Sequence, residues 1–473
     1  MDWSTLKLEP GIDAPLYLQL CTRLTDCISS GSLLPGDQLP SERKLADLLA
    51  VSRTTAINAY KELEAKGLVR SYIGRGTFVS GQPESFGAHF AWRGKVNPAV
   101  QKHLDMGIRS LLSPAKASDI SFACGVPALD YFPKQAYLEA TEQVLSTQLR
   151  DAFGLVPTEG HPYLRNLIAK REGVKAEEVL IVAGTQQALD LIARCLIYPG
   201  DKVVMDWPGF LGAIQTFRLA GASLLGWDVL NTDIDELEDL FLKQRPKLLY
   251  VNPSFQNPTG RTLSLETRKS IVELARKYRL PIVEDDVYRE LYFDDPPPPS
   301  LRELEGDGLV IHLRTFAKTF AVGMRLGYVI ADESIIDQLA FVKAQSDLFC
   351  PGLSQLVLAD LLTKGIFDSY LKVLRQKHKE RAAVMQNALS TYLPELSWRA
   401  PHGGLYLWGQ LQTGYSRDLL QEATKQGVNF GAGENFFYDH SGKRALRLCY
   451  SGTKPEDIKE GIKRLAYAFE MLT

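Results

Sequence analysis

Residues 315–327, Thr-Phe-Ala-Lys-Thr-Phe-Ala-Val-Gly-Met-Arg-Leu-Gly, give the strongest indication of how this chain folds. They follow an apolar, strand-like run at 309–313 and contain Lys318 and, seven residues later, Arg325. A lysine amine can capture an aldehyde, and an arginine guanidinium can bind an anion as a charge-assisted fork. Each side chain alone could instead be a solvated surface residue, so the surrounding sequence must decide between the two interpretations.

Apolar runs alternate with helical stretches on both sides of this segment. The strand-like runs cover residues 179–183, 202–206, 247–252, 281–284, 309–313 and 326–331. Strands separated by helices predict a mostly parallel sheet covered on both faces, which is an α/β fold.

Polar motifs follow several of these runs, where open α/β sheets bind their ligands. Gly184-Thr185-Gln186 follows the first run and begins a helix whose free backbone N–H groups could hold a phosphate. Asn257-Pro258-Thr259-Gly260 and Glu284-Asp285-Asp286-Val287-Tyr288 follow the third and fourth runs. Each motif alone has an ordinary explanation as a turn, a helix cap or an ion pair. Their order along one chain favours a shared site.

In this order the motifs resemble those of the fold-type I aminotransferases, which bind pyridoxal 5'-phosphate (PLP). The resemblance extends over about residues 118–470. It is supported by Gly125-x-Pro127 with Phe132-Pro133, by Thr158-Glu159-Gly160-x-x-x-Leu164-Arg165 and by Pro401-x-Gly403-Gly404-x-Tyr406-x-Trp408. It implies a large domain with a mostly parallel sheet and a smaller α+β C-terminal subdomain.

The resemblance also implies a role for each site residue. Lys318 is the lysine that forms a Schiff base with PLP. Asp285 lies beside the pyridine nitrogen, Asn257 and Tyr288 donate to the phenolate oxygen, and Phe210 stacks on the ring. The residues expected to hold the phosphate are Thr185, Gln186, Thr315 and Arg325.

Two further positions concern the substrate or effector and the neighbouring subunit. Arg447 matches the arginine whose guanidinium binds a substrate carboxylate in a bidentate manner. Leu155 departs from the family, where a tyrosine five positions before the glycine matched by Gly160 reaches the neighbouring subunit's phosphate. Without that hydroxyl, we expect less efficient turnover, unless another residue substitutes for the tyrosine.

The first eighty residues predict three helices and a hairpin. Leucines and an isoleucine recur at four-residue spacing over 16–28, Ser41 and Ser52 are suitable N-caps for two later helices, and strand-like segments at 68–72 and 77–79 flank a glycine-containing tip. Two helices joined by a short turn and followed by a β-ribbon form a winged helix-turn-helix. A small three-helix interaction module is the alternative, since this geometry also occurs without DNA.

The amino-acid sequence of this segment closely resembles that of the GntR family of bacterial regulators. Matching stretches are Leu34-Pro35-Gly36-Asp37-x-Leu39-Pro40-Ser41-Glu42-Arg43, Val51-Ser52-Arg53-Thr54-Thr55 and Gly74-Arg75-Gly76-Thr77-Phe78-Val79. Arg75, in the wing, is placed for phosphate or minor-groove contact. The resemblance implies operator contacts from Arg43, Ser52, Arg53, Thr54, Thr55 and Gly74.

Both resemblances together identify the chain as similar to MocR-type regulators. We expect a DNA-binding domain at 13–80, a linker at 81–117 and an aminotransferase-like effector and dimerisation domain at 118–473. The resemblance implies a homodimer, often head-to-tail. Its partners would be double-stranded promoter DNA and a small amine or amino acid.

Composition sets broad limits on the protein. The 473 residues contain 54 Lys and Arg against 56 Asp and Glu, a net charge of −2, so any attraction to DNA depends on local placement of basic side chains. Six scattered cysteines have no Cys-x-x-Cys pair, which predicts reduced thiols and no metal site. No signal-like or bilayer-spanning apolar run is present, so we expect a cytoplasmic protein without a membrane partner.

The sequence is consistent with three functions. The first is a transcription regulator whose PLP domain senses an amine or amino acid, and the second is a regulator for which PLP itself is the effector. The third is a working aminotransferase that carries an accessory DNA-binding module. The sequence favours the regulators, although an aminotransferase-like half-reaction remains possible.

Overall fold

The structure is a computed structural model that describes residues 3, 6, 8, 14–29, 32–72, 75–80, 96, 100 and 119–472. The chain divides into two compact units, Met1–Leu104 and Asp105–Thr473. Of the predicted linker at 81–117, only residues 96 and 100 are described, and Gly74 lies outside the described residues.

The first unit contains three helices and a two-stranded ribbon. Helix α2 begins after Ser41, whose hydroxyl accepts from the backbone N–H of Lys44, and α3 begins after Ser52, whose hydroxyl accepts from Thr55. Ala50, in the left-handed region with φ 52°, makes the turn between them. The elements are α1 (Leu16–Ser29), α2 (Glu42–Leu49), α3 (Arg53–Ala65), β1 (Val69–Tyr72) and β2 (Gly76–Val79).

This unit has its own apolar core. The buried side chains come from all three helices and from the ribbon, and they include Leu20, Leu24, Leu45, Leu63 and Val79. Strands β1 and β2 pair antiparallel, from Val69 opposite Val79 to Tyr72 opposite Gly76. The winged helix-turn-helix predicted from the sequence is therefore the observed fold of this unit.

A seven-stranded sheet forms the centre of the second unit, in the order β4-β10-β9-β8-β7-β5-β6. Strand β10 runs antiparallel to both of its neighbours, and the other strands are parallel. The strands are β4 (Val179–Val182), β5 (Lys202–Trp207), β6 (Ser223–Asp228), β7 (Leu248–Val251), β8 (Ile282–Asp285), β9 (Val310–Thr315) and β10 (Gly327–Ile330).

Helices cover both faces of this sheet, because alternate residues along each strand point to opposite faces. On β5, Val203 and Met205 face one helical layer, whereas Val204 faces the other. The helices of this part are α4 (Lys134–Thr147), α5 (Leu149–Phe153), α6 (Pro162–Glu172), α7 (Thr185–Leu196), α8 (Leu211–Leu219), α9 (Ile234–Gln244), α10 (Leu265–Tyr278), α11 (Leu301–Leu304), α12 (Glu333–Ala344) and α13 (Gly352–Thr363).

The C-terminal part is a smaller α+β subdomain. Four strands pair antiparallel in the order β11-β12-β15-β14, and β13 pairs parallel with the short strand β3 (Ile120–Ser121). The remaining elements are α14 (Ile366–Tyr392), β11 (Leu396–Trp398), β12 (Tyr406–Leu411), α15 (Ser416–Lys425), β13 (Val428–Asn429), β14 (Gly431–Ala432), β15 (Ala445–Cys449) and α16 (Pro455–Glu470). This matches the predicted α/β class with a smaller subdomain. Among the described residues, no helix has the length and apolar character needed to cross a bilayer.

Candidate functional site

One cavity lies where the parallel strands end and the C-terminal subdomain begins. Its lining includes seven residues that the sequence assigned to one site, namely Thr185, Phe210, Asn257, Asp285, Tyr288, Lys318 and Arg447. They come from sequence positions more than 260 residues apart, so only the fold brings them together. The other three predicted cofactor residues, Gln186, Thr315 and Arg325, lie outside this lining.

Lys318 is partly buried in the turn that follows β9. Its Nζ donates to the carbonyl oxygen of Gly125 at 2.6 Å. Burial lowers the pKa of the amine, and the nearby Arg447 guanidinium lowers it further. Both effects favour the neutral amine, which is the form that can attack an aldehyde.

Gly125 allows this arrangement because it has no side chain. A Cβ built there would lie 2.0 Å from the Tyr406 hydroxyl oxygen. Any larger residue would displace Tyr406 from the cavity wall, so the Gly125 match in the sequence has a steric reason.

Asp285 ends β8 and is fully buried beside the cavity. Tyr250 of β7 donates its hydroxyl proton to Asp285 Oδ2 at 2.6 Å. The other oxygen, Oδ1, is buried and has no hydrogen-bond partner in the described part of the chain. Burial raises the pKa of this carboxyl to about 6, against the lowering effect of the Tyr250 hydrogen bond.

Arg447 and Asn257 also line the cavity and are joined directly. Arg447 Nη1 donates to Asn257 Oδ1 at 2.8 Å, and Nη2 donates to the carbonyl oxygen of Ala123. The guanidinium carbon lies 4.4 Å from the ring centre of Tyr406 and 4.6 Å from that of Phe436, within cation–π range of both. The arginine is therefore held in a fixed orientation with its charge facing two rings.

Two phenols also line the cavity. Tyr288 and Tyr406 are hydrogen-bonded through their hydroxyls at 3.1 Å, and Asn257 Nδ2 donates to the Tyr288 hydroxyl at 3.4 Å. Burial raises the pKa of both tyrosines, so both stay protonated at neutral pH.

The N-terminus of α7 also reaches the cavity, because its first residue, Thr185, lines it. Gly184 precedes α7 with φ 94° and gives its helix no side-chain cap, so the first N–H groups of α7 have no cap from that residue. Arg325 Nη2 donates to the carbonyl oxygen of Ala183 at 2.6 Å, and a Cβ on Gly184 would lie 3.3 Å from that same nitrogen. Free amides and a guanidinium together suit an anion.

Gln186 and Thr315 use their side chains within the protein. Gln186 Nε2 donates to the Thr216 hydroxyl at 2.8 Å, and Thr315 Oγ1 accepts from the backbone N–H of Ala317 at 3.1 Å. The Gln186 bond holds the N-terminus of α7 against α8. The Thr315 bond fixes the start of the turn that carries Lys318.

Sequence reasoning gave no role to several residues of this site. Tyr250 looked like one apolar position in a buried strand, and the sequence carried no signal for its hydroxyl. Tyr406 stood within a quoted motif, where its pattern could have suggested a wall of the cavity. The other unassigned lining residues include Cys124, Leu211, Asn252 and Phe436.

Leu155 does not line the cavity of its own chain. Its side chain is 90% exposed, an unusual exposure for a leucine. The exposed side chains of Leu149 and Phe153 lie close to it in sequence, so this segment presents apolar area to solvent.

The predicted DNA contacts lie on the surface of the first unit. Arg43, Ser52, Arg53, Thr54 and Arg75 are exposed, and Thr55 is partly buried because it completes the Ser52 cap. Arg53 Nη2 lies 3.7 Å from Glu42 Oε2 in an exposed ion pair that DNA can replace. The sixth contact implied by the GntR resemblance, Gly74, lies outside the described residues.

Two family profiles match the chain, one for each unit. "Aminotransferase class I and II" matches residues 119–465, and "Bacterial regulatory proteins, gntR family" matches residues 16–79. The chain belongs to the aminotransferase class I and II family and carries a gntR-family DNA-binding module, which makes it a MocR-type transcription regulator.

Several relatives share one or both units. The 2-aminoadipate transaminase of Thermus thermophilus is 38% identical over 77% of this chain and 94% of its own length. The uncharacterized HTH-type regulator YdfD of Bacillus subtilis is 31% identical over 97% of both chains. The probable rhizopine catabolism regulatory protein MocR of Rhizobium meliloti is 31% identical over 98% of this chain and 96% of its own.

Solved structures agree with the fold of the second unit. LysN, the α-aminoadipate aminotransferase of Thermus thermophilus, superimposes with a TM-score of 0.77 at 36% identity, over 80% of this chain and 98% of its own. That structure contains N-(5'-phosphopyridoxyl)-L-leucine. The kynurenine aminotransferase of Pyrococcus horikoshii gives a TM-score of 0.72 at 30% identity, over 80% and 95%. The cofactor of this family is PLP, and the chain is a PLP-dependent, DNA-binding regulator.

Proposed function

We propose that a small amine or amino acid enters the Lys318 cavity and thereby alters promoter binding. The observation that carries this proposal is that Lys318 and the buried guanidinium of Arg447 line one cavity. An amine of the effector would compete with Lys318 for the same aldehyde, while its carboxylate would bind Arg447 in place of Asn257 Oδ1 and the Ala123 carbonyl.

The residues present fit the cofactor. The unpartnered Oδ1 of Asp285 suits a protonated pyridine nitrogen, and Asn257 and Tyr288 carry donors for a phenolate oxygen. Phe210 offers a ring for stacking. The phosphate would be held by Thr185 and Gln186 at the α7 N-terminus, by Thr315 and by Arg325.

Bound PLP supplies an aldehyde and an electron-withdrawing ring. The chain supplies the rest: Lys318 would provide an amine whose pKa burial lowers, and Asp285 would place its carboxylate at the ring nitrogen. Arg447 orients a carboxylate, and the buried wall of Tyr288 and Tyr406 excludes water from the reacting side. A ligand changes promoter affinity only if it binds the DNA-competent and DNA-incompetent arrangements with different affinity.

At the DNA, the first turn of α3 would enter the major groove with Arg53, Thr54 and Thr55, and Ser52 would cap it. Arg43 would contact the DNA phosphate backbone. Gly74 and Arg75, in the wing, would also contact the DNA, Arg75 at a phosphate or in the minor groove. The working unit would be a head-to-tail homodimer that meets two operator half-sites in the cytoplasm. In this proposal the DNA-binding domain covers residues 13–80, the linker 81–117 and the effector and dimerisation domain 118–473.

A working aminotransferase is the second candidate. The observation that favours it is the presence of an amine, a ring-facing carboxylate and a carboxylate-binding arginine around one cavity, together with 38% identity to a transaminase. A regulator that responds to PLP itself is the third, and it needs Lys318 but not Arg447.

One titration separates these functions. The full chain with PLP is titrated with an amino acid and, in parallel, with the amine of the same side chain that lacks the carboxylate, while cofactor absorbance and binding to the chain's own upstream DNA are measured. The proposal expects an amino acid that changes both signals together, and a weaker effect of the matched amine. Spectral changes without any change in DNA affinity would contradict it, and turnover with a 2-oxo acid at about 1 per second or faster would favour the enzyme.

A further inference from the structure

Tyr250 and Asp285 are held together by the strand register. Tyr250 of β7 lies opposite Val283 of β8, and Asp285 is two residues further along β8. Residues two apart on a strand share a face, so Tyr250 and Asp285 point to the same side of the sheet. Their side chains meet at 2.6 Å in a region where both are buried.

The two oxygens of Asp285 therefore have different surroundings. Oδ2 accepts from Tyr250, whereas Oδ1 is buried without a partner in the described part of the chain. A carboxylate that rotates freely presents either oxygen in many directions. One that is held at Oδ2 presents Oδ1 in a single direction.

We propose that Tyr250 is a positioning residue for the cofactor, holding Asp285 by one oxygen so that the other is aimed at the pyridine nitrogen. This inference rests on the proposed role of Asp285. Tyr250 itself does not line the cavity, so it acts only through the aspartate.

Tyr250 also affects the charge of Asp285. The titratable groups that act on this carboxyl include Tyr250 on β7, His312 on β9, Lys318 in the following turn and Asp286 beside it. Asp206 of β5 and Tyr288, which follows β8, also interact with it. Burial raises the pKa of Asp285 to about 6, and the Tyr250 hydrogen bond opposes that rise. Without the hydroxyl, the pKa rises further and a larger fraction of Asp285 is neutral at pH 7. A neutral acid no longer stabilises a protonated pyridine.

Tyr250→Phe tests this, because it removes the hydroxyl and keeps the ring. The matched control is Tyr328→Phe, since the hydroxyl of Tyr328 donates to Glu172 at 2.6 Å and the residue does not line the cavity. For both variants of the full chain, the dissociation constant of PLP and the cofactor absorbance are measured from pH 6 to pH 9, and thermal melting without cofactor checks that they fold.

We expect Tyr250→Phe to weaken PLP binding by about tenfold at pH 7, with a smaller loss at pH 9, where a larger fraction of Asp285 is ionised. Tyr328→Phe should follow the wild type at every pH. An unchanged PLP profile in Tyr250→Phe, or the same loss in Tyr328→Phe, overturns the inference. If Asp285→Ala leaves PLP binding unchanged, the proposed role of Asp285 itself is wrong, which is a separate result.

Discussion

Arg447 donates to Asn257 across 2.8 Å, and this bond joins the residue expected to bind an effector carboxylate to one expected to contact the cofactor ring. An effector carboxylate bound to the Arg447 guanidinium would compete with the Asn257 amide oxygen for the Arg447 N–H donors. If both residues have these roles, effector binding would change the environment of the cofactor through this contact.

Replacement of Arg447 should separate two kinds of effector. Arg447→Ala is expected to abolish the response of promoter binding to an amino acid while sparing any response to PLP alone, since a buried carboxylate without its cation binds at least about a hundredfold more weakly. The measurement is DNA binding by fluorescence anisotropy with and without ligand. Arg444→Ala, at an exposed arginine beside β15, is the control. An undiminished amino-acid response in Arg447→Ala would exclude this arginine as the carboxylate site.

Arg53 should matter for DNA and not for the cofactor. Arg53→Ala is expected to weaken operator binding by about tenfold and to leave PLP absorbance unchanged, because its guanidinium is exposed and, among the described residues, forms one weak ion pair, with Glu42. Lys61→Ala, two turns further along α3, serves as the control. Equal operator affinities of Arg53→Ala and the wild type would show that α3 does not enter the groove by its first turn.

Leu155 offers a gain-of-function test of the dimer. Leu155→Tyr restores the hydroxyl that the family places near the partner subunit's phosphate, and it should tighten PLP binding about threefold to tenfold through one added hydrogen bond. Leu149→Tyr, at another exposed leucine nearby, should not. PLP affinity is measured by equilibrium titration at protein concentrations above and below dimer dissociation. A gain that persists in the monomer would disprove the assignment to the partner's site.

Asp206 predicts a pH-dependent stability. This carboxyl accepts from the backbone N–H of Asn252 at 2.9 Å, yet burial raises its pKa to about 8. Between about pH 4 and pH 8 the folded protein keeps this proton and the unfolded chain does not. The free energy of unfolding therefore falls as the pH rises through this range. The wild type without cofactor should therefore lose about 3 kcal/mol relative to Asp206→Asn between pH 5 and pH 7. Denaturant unfolding of both proteins checks this, and parallel curves would contradict the assignment.

The sequence predicted the features that depend on local pattern. Serine caps predicted α2 and α3, and apolar runs predicted six of the seven strands of the large sheet within two residues. The strand that was missed, β6, lies at the sheet edge, and its Ser-Leu-Leu-Gly-Trp-Asp sequence contains a glycine and only three apolar side chains. Only one of the six β6 residues is buried, so this strand needs fewer apolar side chains than the central strands.

The contacts within the site depend on more than local sequence pattern. Motif order was enough to predict that Lys318, Asp285 and Arg447 are grouped together, and the structure does place all three around one cavity. The hydrogen bond from Tyr250 could not be predicted, because it depends on the register of two strands that are separated by α10. Asn257 was expected to face the cofactor, but its contact with Arg447 required the packing of the C-terminal subdomain.

The most direct test of the account is promoter binding by Lys318→Ala with and without effector, compared with Lys364→Ala at a surface lysine as the control. We expect the Lys318→Ala protein to lose the covalent cofactor absorbance and the effector response, and to bind its upstream DNA within about twofold of the cofactor-free wild type, since the helix predicted to contact DNA lies in the other compact unit. An effector response that survives in Lys318→Ala would contradict the central claim that chemistry at this lysine controls the regulator.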